Sequence, residues 1–426
     1  MENNTCLCNS RRKLYRIQNS FTFQMKMWAA GFTVLCVMVV WLSTAYRWDH
    51  PESKVTYGIM FDAGSTGSRI HVFSFSSDNS GKKMKLIQDI FNEIKPGLSA
   101  YASDPKQAAD SLLPLLNLAK SEVPEVFQSS CAVALKATAG LRLLGEQPAK
   151  NILLEVEKLF KTFPFKMLKN NTEIMSGTKE GIYSWLTVNY LLDLLDTPEK
   201  TAVALDLGGG STQITFVPSK PETLQQVGDD FKESVTLFGQ RYNLYTHSYL
   251  GLGLMATRFE VSDKTETAPL QLKSVCIQEN TQTSWSYSGK TYQVSSAGNS
   301  NFDNCYAATS KYVKENMKPV LELTNHDIRA FSYFYDRAVD MNLIGPEGGK
   351  VAVNSFQQAA VQACNQKNSE KPFLCLDLCY IYSVLKDGYT LEANKIIELT
   401  KKINRVEVSW ALGAVFDLIS KAKKVV

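Results

Sequence analysis

Apolar runs broken by short clusters of glycine, serine and threonine mark two similar stretches of this chain. Residues 58–73 are GIMFDAGSTGSRIHVF, and residues 202–217 are AVALDLGGGSTQITFV. Apolar runs of this length, bounded by turn-forming residues, are typical of buried strands. Each stretch is therefore predicted to form strand, turn and strand, with Asp62 or Asp206 at the tip of the first strand. The repeated layout indicates two related halves.

Helical periodicity fills much of the remaining chain. Apolar residues at helical spacing predict helices over residues 104–123, 146–163, 178–195 and 408–424. Pro114 predicts a kink in the first of these helices, and Thr178 is the predicted N-cap of the third. Residues 131–140 are predicted to be a strand that runs into a turn. Residues 218–310 are polar and show no dominant period.

An uncharged apolar segment, residues 27–46, lies near the N-terminus. About twenty apolar residues are enough to cross a bilayer as a helix. Because positive charges precede it, the N-terminus is predicted to be cytoplasmic. The chain is thus interpreted as a cytoplasmic basic head (1–26), a transmembrane signal-anchor (27–46), a stalk (47–54) and a lumenal remainder. The alternative is a signal peptide that is cleaved near residues 43–45, where small residues resemble a cleavage site.

The net charge of +4 is concentrated in the basic head. The chain has 46 basic and 42 acidic residues; the first 26 residues contain five and one of these, which leaves 41 of each sign. A balanced body without a basic tract argues against nucleic-acid binding. The 426 residues, 44% of them hydrophobic, are too many for one ordinary domain and predict two.

The cysteines are consistent with an oxidising compartment, in which disulfides can form. Six of the nine cysteines follow the apolar segment. The nearest plausible pairs are Cys276–Cys305 and Cys364–Cys375, which leave Cys131 and Cys379 over, although the connectivity does not follow from sequence. Asn170, in the triplet Asn-Asn-Thr, is the predicted lumenal glycosylation acceptor. The four histidines are not clustered, which argues against a histidine-built metal site.

The two predicted hairpins indicate phosphate chemistry. A turn of glycine, serine and threonine exposes backbone N–H groups and hydroxyls, and several such donors form an anion-binding nest. Two such turns facing each other across a cleft would hold a phosphate chain from both sides. Asp62 and Asp206 would then approach a hard cation such as Mg²⁺ or Ca²⁺, directly or through water. One hairpin alone is ordinary turn chemistry, since aspartate and glycine favour turns, but two with the same layout favour a phosphate-and-metal site.

A hydrolase with such a site needs a base that orients water. Glu180 is the candidate, because it lies in the first turn of a predicted helix, although a glutamate there can simply complement the helix dipole. The sequence contains no G-x-x-x-x-G-K-[ST] loop and no G-x-S-x-G elbow. Residues 251–256, GLGLMA, match a loose dinucleotide pattern but do not follow a predicted buried strand.

Five spaced motifs resemble those of the ecto-nucleoside triphosphate diphosphohydrolase (apyrase) family and occur in the family's order. They are FDAGSTGSR (61–69), LKATAGLRLL (135–144), IMSGTKEGIYSWLTVNY (174–190), LDLGGGSTQITF (205–216) and WALGA (410–414). The resemblance implies the fold of the actin, Hsp70 and sugar-kinase superfamily. That fold is α/β, with two ribonuclease-H-like lobes and an active-site cleft between them.

The resemblance implies a role for each motif. Glu180 takes the place of the base that activates the attacking water. Asp62 and Asp206 take the places of the residues that hold Mg²⁺ or Ca²⁺, largely through water, and Trp410 that of a residue in the metal-water network. The implied phosphate contacts are Gly64, Ser65, Thr66, Gly67, Thr138, Ala139, Gly208, Gly209 and Gly210. Residues that help place the nucleophilic water and the metal shell are matched by Ser211 and Gln213.

Further expectations concern the nucleotide base and the lobes. Tyr335 and Tyr389 are the candidates that stack on the base, with aromatic residues buried in a core as the alternative. Gly210 stands where many members of the family have alanine, and little functional change is expected from this difference. Lobe one is predicted to comprise residues 55–176 plus 398–426, and lobe two residues 177–397.

One N-terminal apolar segment and few lumenal cysteines resemble the intracellular or secreted branch of the family, its types six and five. That branch implies hydrolysis of nucleoside diphosphates, with GDP, UDP and IDP preferred, to nucleoside monophosphate and phosphate. The implied setting is the Golgi or ER lumen, where the reaction supports glycosylation. A monomer is expected, held as a single-pass type II membrane protein or secreted after cleavage.

Three other functions remain open at this stage. A broad-specificity apyrase would hydrolyse both triphosphates and diphosphates. A sugar or acetate kinase of the same fold would need an acceptor pocket, which residues 218–310 do not reveal. A non-catalytic protein similar to Hsp70 or actin would bind ATP tightly and turn over slowly, but the apolar anchor and the possible disulfides weigh against it.

Overall fold

The computed structural model describes residues 27–28, 31–41, 54–77, 84–265, 267–320 and 322–424. The chain divides into two compact units. The smaller unit, residues 1–55 with 76–84, includes the helical residues 27–28 and 31–41, which are exposed. The larger unit, residues 56–75 with 85–426, contains every residue predicted to belong to the active site.

A five-stranded sheet contains the first predicted hairpin. Its order is β3-β2-β1-β4-β5, and β4 is parallel to both β1 and β5. The strands are β1 (Lys54–Ala63), β2 (Ser68–Ser77), β3 (Met84–Ile94), β4 (Ala132–Ala137) and β5 (Thr172–Ile174). Asp62 is the last residue but one of β1, so its position at the strand tip is confirmed.

A seven-stranded sheet contains the second hairpin, in the order β15-β16-β14-β6-β7-β9-β8. Here β6 is antiparallel to β7 and parallel to β14, which is parallel to β16. The strands are β6 (Val203–Leu207), β7 (Ser211–Phe216), β8 (Lys232–Leu237), β9 (Gln240–Leu250), β14 (Ile328–Ser332), β15 (Gly349–Ala352) and β16 (Ile396–Leu399). Asp206 again occupies the last position but one of its strand.

The two sheets share one internal order. The five strands β9-β7-β6-β14-β16 repeat the order β3-β2-β1-β4-β5. In each sheet the first strand of the hairpin, β1 or β6, is followed by two parallel strands. Each sheet has its own hydrophobic cluster, one drawn from residues 59–165 and the other from residues 203–399. The structure confirms an α/β fold, and the shared strand order is consistent with the two related halves that the repeated sequence predicted. The exact lobe boundaries stay a prediction.

The helices agree with the sequence pattern apart from two local differences. Their bounds are Pro105–Asp110, Leu113–Glu122, Glu125–Gln128, Ala139–Arg142, Glu146–Phe160, Gly177–Leu191, Glu222–Gln225, Leu254–Glu260, Phe302–Asn316, Tyr333–Asp340, Val353–Asn365, Leu374–Ser383 and Ala411–Lys424. Pro114 does not kink one helix but lies in the first turn of a second, where its missing N–H has no helical partner to lose. Ser176 rather than Thr178 caps the helix that carries Glu180, because its hydroxyl accepts the Lys179 N–H at 3.3 Å.

The polar region 218–310 contains a separate sheet of order β10-β11-β13-β12. Its strands are β10 (Asp263–Lys264), β11 (Gln271–Ser274), β12 (Gln282–Tyr287) and β13 (Lys290–Ser296). Every second residue of β12 is exposed and the others are only half-buried, so no strong apolar pattern marks the strand. A short pair, β17 (Lys402–Ile403) and β18 (Val406–Glu407), precedes the last helix.

Both bridges that the spacing made plausible are present, Cys276–Cys305 and Cys364–Cys375. Cys131 and Cys379 are free and buried. The Cys379 sulfur lies 3.7 Å from the Cys364 sulfur, so one free thiol is in contact with a disulfide.

The N-terminal predictions fall largely outside the described residues, which contain no part of the head 1–26 and little of the stalk 47–54. Within the part of the chain that is described, no helix has the length and apolar character needed to span a membrane. Asn170 is exposed, as a glycosylation acceptor must be.

Candidate active site

One cleft brings most of the predicted site residues together. It has a volume of about 580 Å³. The predicted residues that line it are Asp62, Gly64, Ser65, Thr66, Thr138, Glu180, Asp206, Gly208, Gly209, Tyr335 and Trp410. A cavity of similar volume, about 570 Å³, runs along β14 and β16 and contains none of the predicted site residues. The cleft is therefore the candidate active site.

The two hairpin turns approach each other closely because they are built from glycine. A Cβ on Gly209 would overlap the Ser65 hydroxyl oxygen, and a Cβ on Gly210 would lie 2.7 Å from the Ala139 Cβ. Gly67 is also confined, since its Cβ would lie 2.9 Å from the Ile94 carbonyl oxygen. An alanine at Gly210 would therefore have a packing cost here, because its methyl group requires the turn or the helix that begins at Ala139 to shift.

Asp62 has one carboxylate oxygen that is paired and one that is not. Its Oδ2 accepts a hydrogen bond from Arg69 at 3.3 Å. Its Oδ1 is buried and has no partner among the described residues. Burial raises the pKa of Asp62, and the charges of Arg69 and His71 oppose this. A buried carboxylate oxygen without a partner is costly and suits a cation or its bound water.

Asp206 is held in place by two hydroxyls. Its Oδ1 accepts from Ser332 at 2.7 Å, and its Oδ2 accepts from Ser184 at 3.5 Å. Burial, with a smaller contribution from the charge of Asp62, raises the pKa of Asp206 to about 6. Ser332 has φ 57° and ψ −129°, a strained backbone conformation of the kind that clusters at functional sites. Sequence analysis missed Ser332.

The donor set of the cleft fits a divalent cation. Its lining includes six carboxylates and five cationic side chains, so a phosphate chain bound here would lie close to several carboxylates. A bound cation would offset the negative charge of the carboxylates and of the phosphates. The unpartnered oxygen of Asp62 and the fixed carboxylate of Asp206 are the residues that would hold it.

Glu180 lies in the first turn of its helix, as predicted, and is buried at 6% exposure. Its Oε2 accepts a hydrogen bond from Arg142 Nη2, and this ion pair has little exposed surface on either side chain. Burial raises the pKa of Glu180 to about 8, against the opposing charge of Arg142. Asp206 and Asp62 raise that pKa further. A carboxyl whose pKa is moved toward neutrality is suited to proton transfer.

Ser211 and Gln213 lie behind the cleft and do not line it, with exposures of 2% and 1%. Gln213 donates to the hydroxyls of Ser211 at 2.7 Å and Ser248 at 2.9 Å. Its Oε1 is buried without a partner in the described part of the chain. Because a Cβ on Gly181 would lie 3.6 Å from the Gln213 Cβ, this free acceptor is close to the Glu180 helix. Such a group is suited to hold a water.

The second and fifth motifs also reach the cleft. Thr138 lines it, and its N–H donates to the Ala63 carbonyl at 3.2 Å, directly after Asp62. Trp410 comes immediately before the last helix of the chain. It also lines the cleft and is 3% exposed. Both side chains therefore line the cleft, and their contacts with phosphate and with metal-bound water stay predictions.

The two tyrosine predictions have different outcomes. Tyr335 lines the cleft, and its hydroxyl donates to the Pro346 carbonyl at 2.6 Å. Tyr389 does not line the cleft: it has no exposed surface, and its hydroxyl bonds with Thr212 at 3.0 Å. The prediction that Tyr389 stacks on a base is therefore corrected, because its ring is part of the core. Tyr333, which sequence analysis missed, lines the cleft instead.

Sequence analysis also missed the cationic wall of the cleft. Arg258 forms two hydrogen bonds to the fully buried Asp377, from Nε at 2.7 Å and Nη2 at 2.5 Å. Arg337 reaches the same carboxylate at 3.4 Å. Arg337 also pairs with Asp340 at 3.1 Å, so carboxylates hold both arginines in place, and both line the cleft, where their N–H groups are available to a phosphate. No local motif marks these residues, which come from separate segments of the chain.

Comparisons with known proteins agree with this geometry. The model of the GDA1/CD39 (nucleoside phosphatase) family matches residues 49–425. Ectonucleoside triphosphate diphosphohydrolase 5 from Bos taurus is 44% identical over 377 residues, which cover 85% of this chain and 87% of the relative. Nucleoside diphosphate phosphatase ENTPD5 from Homo sapiens is 43% identical, covering 86% and 88%. Ectonucleoside triphosphate diphosphohydrolase 6 from Mus musculus is 40% identical, covering 87% and 83%.

A solved structure supports the fold independently. The crystal structure of nucleoside triphosphate hydrolases from Neospora caninum superposes with a TM-score of 0.65 at 13% identity, covering 92% of this chain and 97% of that one. At this identity the likeness concerns the fold alone. The family match over nearly the whole body, together with relatives above 40% identity, shows that the chain belongs to the GDA1/CD39 (nucleoside phosphatase) family.

Proposed function

We propose that this protein hydrolyses nucleoside diphosphates, with GDP, UDP and IDP preferred, to nucleoside monophosphate and phosphate. The observation that carries the proposal is the position of Glu180, a buried carboxyl that lines the same cleft as both glycine-rich turns. The names of the relatives, which include a nucleoside diphosphate phosphatase, support the choice of substrate. The wall formed by Arg258 and Arg337 supports an anionic ligand.

The residues of the cleft have separate roles in the displacement of the nucleoside monophosphate by water. The turns around Ser65 and Gly209 donate hydrogen bonds to the phosphates. The Glu180 carboxylate accepts a proton from water as the water oxygen bonds to the terminal phosphorus. The bond between that phosphorus and the bridging oxygen breaks, and the nucleoside monophosphate leaves with the bond's electron pair. Phosphoryl transfer of this kind needs positioning and charge stabilisation more than a covalent nucleophile.

A divalent cation, Mg²⁺ or Ca²⁺, is part of the proposal. When bound, it supplies positive charge that stabilises the phosphate oxygens in the transition state. Asp62 and Asp206 would hold it, largely through water, and Trp410 would border that water. Ser332 and Ser184 fix the Asp206 carboxylate for this role.

We also propose that the protein acts in the lumen of the Golgi or ER, as a monomeric type II membrane protein or a secreted form. The two disulfides support an oxidising compartment, and the exposed Asn170 supports access by the glycosylation machinery. Removal of diphosphates released by glycosyltransferases would support glycosylation there. A shift in electrophoretic mobility with glycosidase treatment, absent in Asn170→Gln, tests the compartment.

Phosphate release by the full chain in detergent tests the function. GDP, UDP, IDP, ADP, GTP and ATP are compared with Mg²⁺, with Ca²⁺ and with a chelator. Fast metal-dependent release from GDP and UDP is expected. Equal rates on ATP would assign the protein to the broad apyrases, a need for an added acceptor would indicate a kinase, and tight binding without turnover would indicate a nucleotide sensor.

Arg142→Gln is expected to move the acidic limb of the pH–rate profile to higher pH. Glu180 acts as a base only when ionised, so kcat/KM rises as pH passes its pKa. Arg142 lowers that pKa, and an opposite charge in contact is worth about one to three pKa units. Activity at pH 7 should fall about tenfold or more, and the loss should shrink toward pH 10.

The measurement is kcat/KM for GDP between pH 5.5 and 10. Arg142→Lys serves as the matched variant, because it keeps the positive charge and should keep most of the wild-type profile. A loss of the same size at every pH would contradict the electrostatic role and assign Arg142 a structural one.

A further inference from the structure

Asp336 occupies an unusual position on the wall of the cleft. The helix Tyr333–Asp340 begins directly after β14, and Ser332, which holds Asp206, is its N-cap residue. The first turns of this helix therefore lie at the cleft, and Tyr333, Tyr335 and Asp336 all line it. A carboxylate thus lies beside two aromatic rings on one short helix.

The Asp336 carboxylate has no partner among the described residues, in contrast to the acidic side chains around it. Asp340, one turn further along the helix, pairs with Arg337 at 3.1 Å and with Lys371. Asp377 pairs with Arg258 and Arg337. No hydrogen bond or ion pair links a described residue to Asp336, which is half-buried.

Positive charges near Asp336 oppose the effect of its burial. Burial raises the pKa of Asp336, and the positive charges of Lys401 and Arg337 are the main influences that oppose the rise. Since neither cation is within pairing distance, the carboxylate oxygens remain free to accept hydrogen bonds. A half-buried acceptor without a donor discriminates strongly between ligands that bring a donor and ligands that do not.

The adjacent tyrosines indicate which part of a nucleotide would meet Asp336. Aromatic rings provide surfaces on which bases stack, and Tyr335 is held in one orientation by its bond to the Pro346 carbonyl. Asp336 directly follows Tyr335 in the chain and lines the same cleft, so the ring edge is the part of a stacked base that this carboxylate can meet. Guanine, hypoxanthine and uracil carry a ring N–H on that edge, whereas adenine and cytosine carry a ring nitrogen that only accepts.

We propose that Asp336 is the residue that selects the base of the substrate, by accepting a hydrogen bond from the ring N–H of guanine, hypoxanthine or uracil. Guanine can donate twice, from N1–H and from its 2-amino group. Adenine and cytosine would place a lone pair against the carboxylate. This inference rests on the proposed function for its substrate class and adds the residue that determines specificity.

The test compares the full wild-type chain with Asp336→Asn and with the matched variant Asp340→Asn, which removes a carboxylate one helical turn away. In Asp336→Asn, kcat/KM for GDP and UDP should fall about 10- to 100-fold, mostly through KM. For ADP it should change by less than about threefold, because no hydrogen bond to the carboxylate is lost. Asp340→Asn should leave the GDP-to-ADP ratio of kcat/KM unchanged.

N1-methyl-GDP gives an independent reading with the unmodified protein. The methyl group removes the N–H donor, so the wild type should treat this compound as it treats ADP. In Asp336→Asn the preference for GDP over N1-methyl-GDP should shrink, because the amide offers one neutral acceptor oxygen in place of the carboxylate. An equal loss on every nucleotide in Asp336→Asn, or equal use of GDP and N1-methyl-GDP by the wild type, would overturn the proposal.

Binding separates this proposal from the proposed function. If the wild type releases no phosphate from any diphosphate, the proposed function fails. Calorimetric affinities for GDP and ADP still test Asp336 in that case, because the expected loss of GDP affinity in Asp336→Asn does not depend on turnover. Equal affinities for GDP in the wild type and the variant would then count against base selection by Asp336.

Discussion

Glu180→Gln is expected to lower kcat for GDP by about 10²- to 10⁴-fold, the range over which a positioned general base contributes. Glutamine keeps the size of the side chain and can still accept the hydrogen bond from Arg142, but it cannot take a proton from water. Burial raises the pKa of Glu180 to about 8, which suits proton transfer, and neither of its oxygens is committed to hold the cation as the Asp62 and Asp206 carboxylates are. KM should change little, because no phosphate contact is removed.

The control for this prediction is Glu146→Gln. Glu146 also lies in the first turn of a 15-residue helix, but it is exposed and does not line the cleft. The variant Glu146→Gln should retain full activity. This result would separate a catalytic effect from a general effect of removing a negative charge at a helix N-terminus. Calorimetry should show that Glu180→Gln still binds GDP. Retention of more than a tenth of wild-type kcat would require another base.

The parts of the site that the sequence predicted are those built from contiguous residues. Asp62 and Asp206 each end a strand and are followed by small residues, so one local segment determines their position. Glu180 follows a capping residue at a fixed distance, and the helix then places its carboxyl. Strand tips and first turns of helices are positions where local sequence alone determines which side chain comes forward.

The parts that the sequence did not predict depend on contacts between distant segments. Tyr389 was predicted to stack on a base, yet its side chain is fully buried and its hydroxyl is hydrogen-bonded to Thr212, which is 177 residues away. The Arg142–Glu180 pair spans 38 residues and Arg258–Asp377 spans 119. Ser332 is the last residue of a strand, and only its bond to Asp206 and its positive φ distinguish it from other serines.

Asp336 shows why the specificity of such a site is harder to predict than its chemistry. The sequence FSYFYDRAVD contains two aspartates, Asp336 and Asp340, at helical spacing. Nothing local distinguishes them. In the structure, one is paired with Arg337 and Lys371 and the other lines the cleft without a partner, so only tertiary contacts identify the one that is free to bind a ligand.

Asp206→Asn is expected to raise the Mg²⁺ concentration needed for half-maximal activity by about 10- to 100-fold, the size of effect seen when an outer-shell ligand is lost. The amide loses the charge that attracts the cation, while Ser332 and Ser184 can still hold the side chain. Asp62→Asn should raise this Mg²⁺ concentration similarly. The increase in the double variant should be smaller than the product of the two single increases, because both carboxylates hold one ion.

The measurement is phosphate release from GDP over a Mg²⁺ titration, with calorimetric Mg²⁺ binding as a second readout that does not require turnover. Asp229→Asn is the control, because Asp229 is 97% exposed on the surface and should leave the titration unchanged. A fall in kcat with an unchanged Mg²⁺ requirement would mean that Asp206 does not hold the cation. It would then act on the rest of the cleft, for instance through the strained Ser332 that its carboxylate anchors.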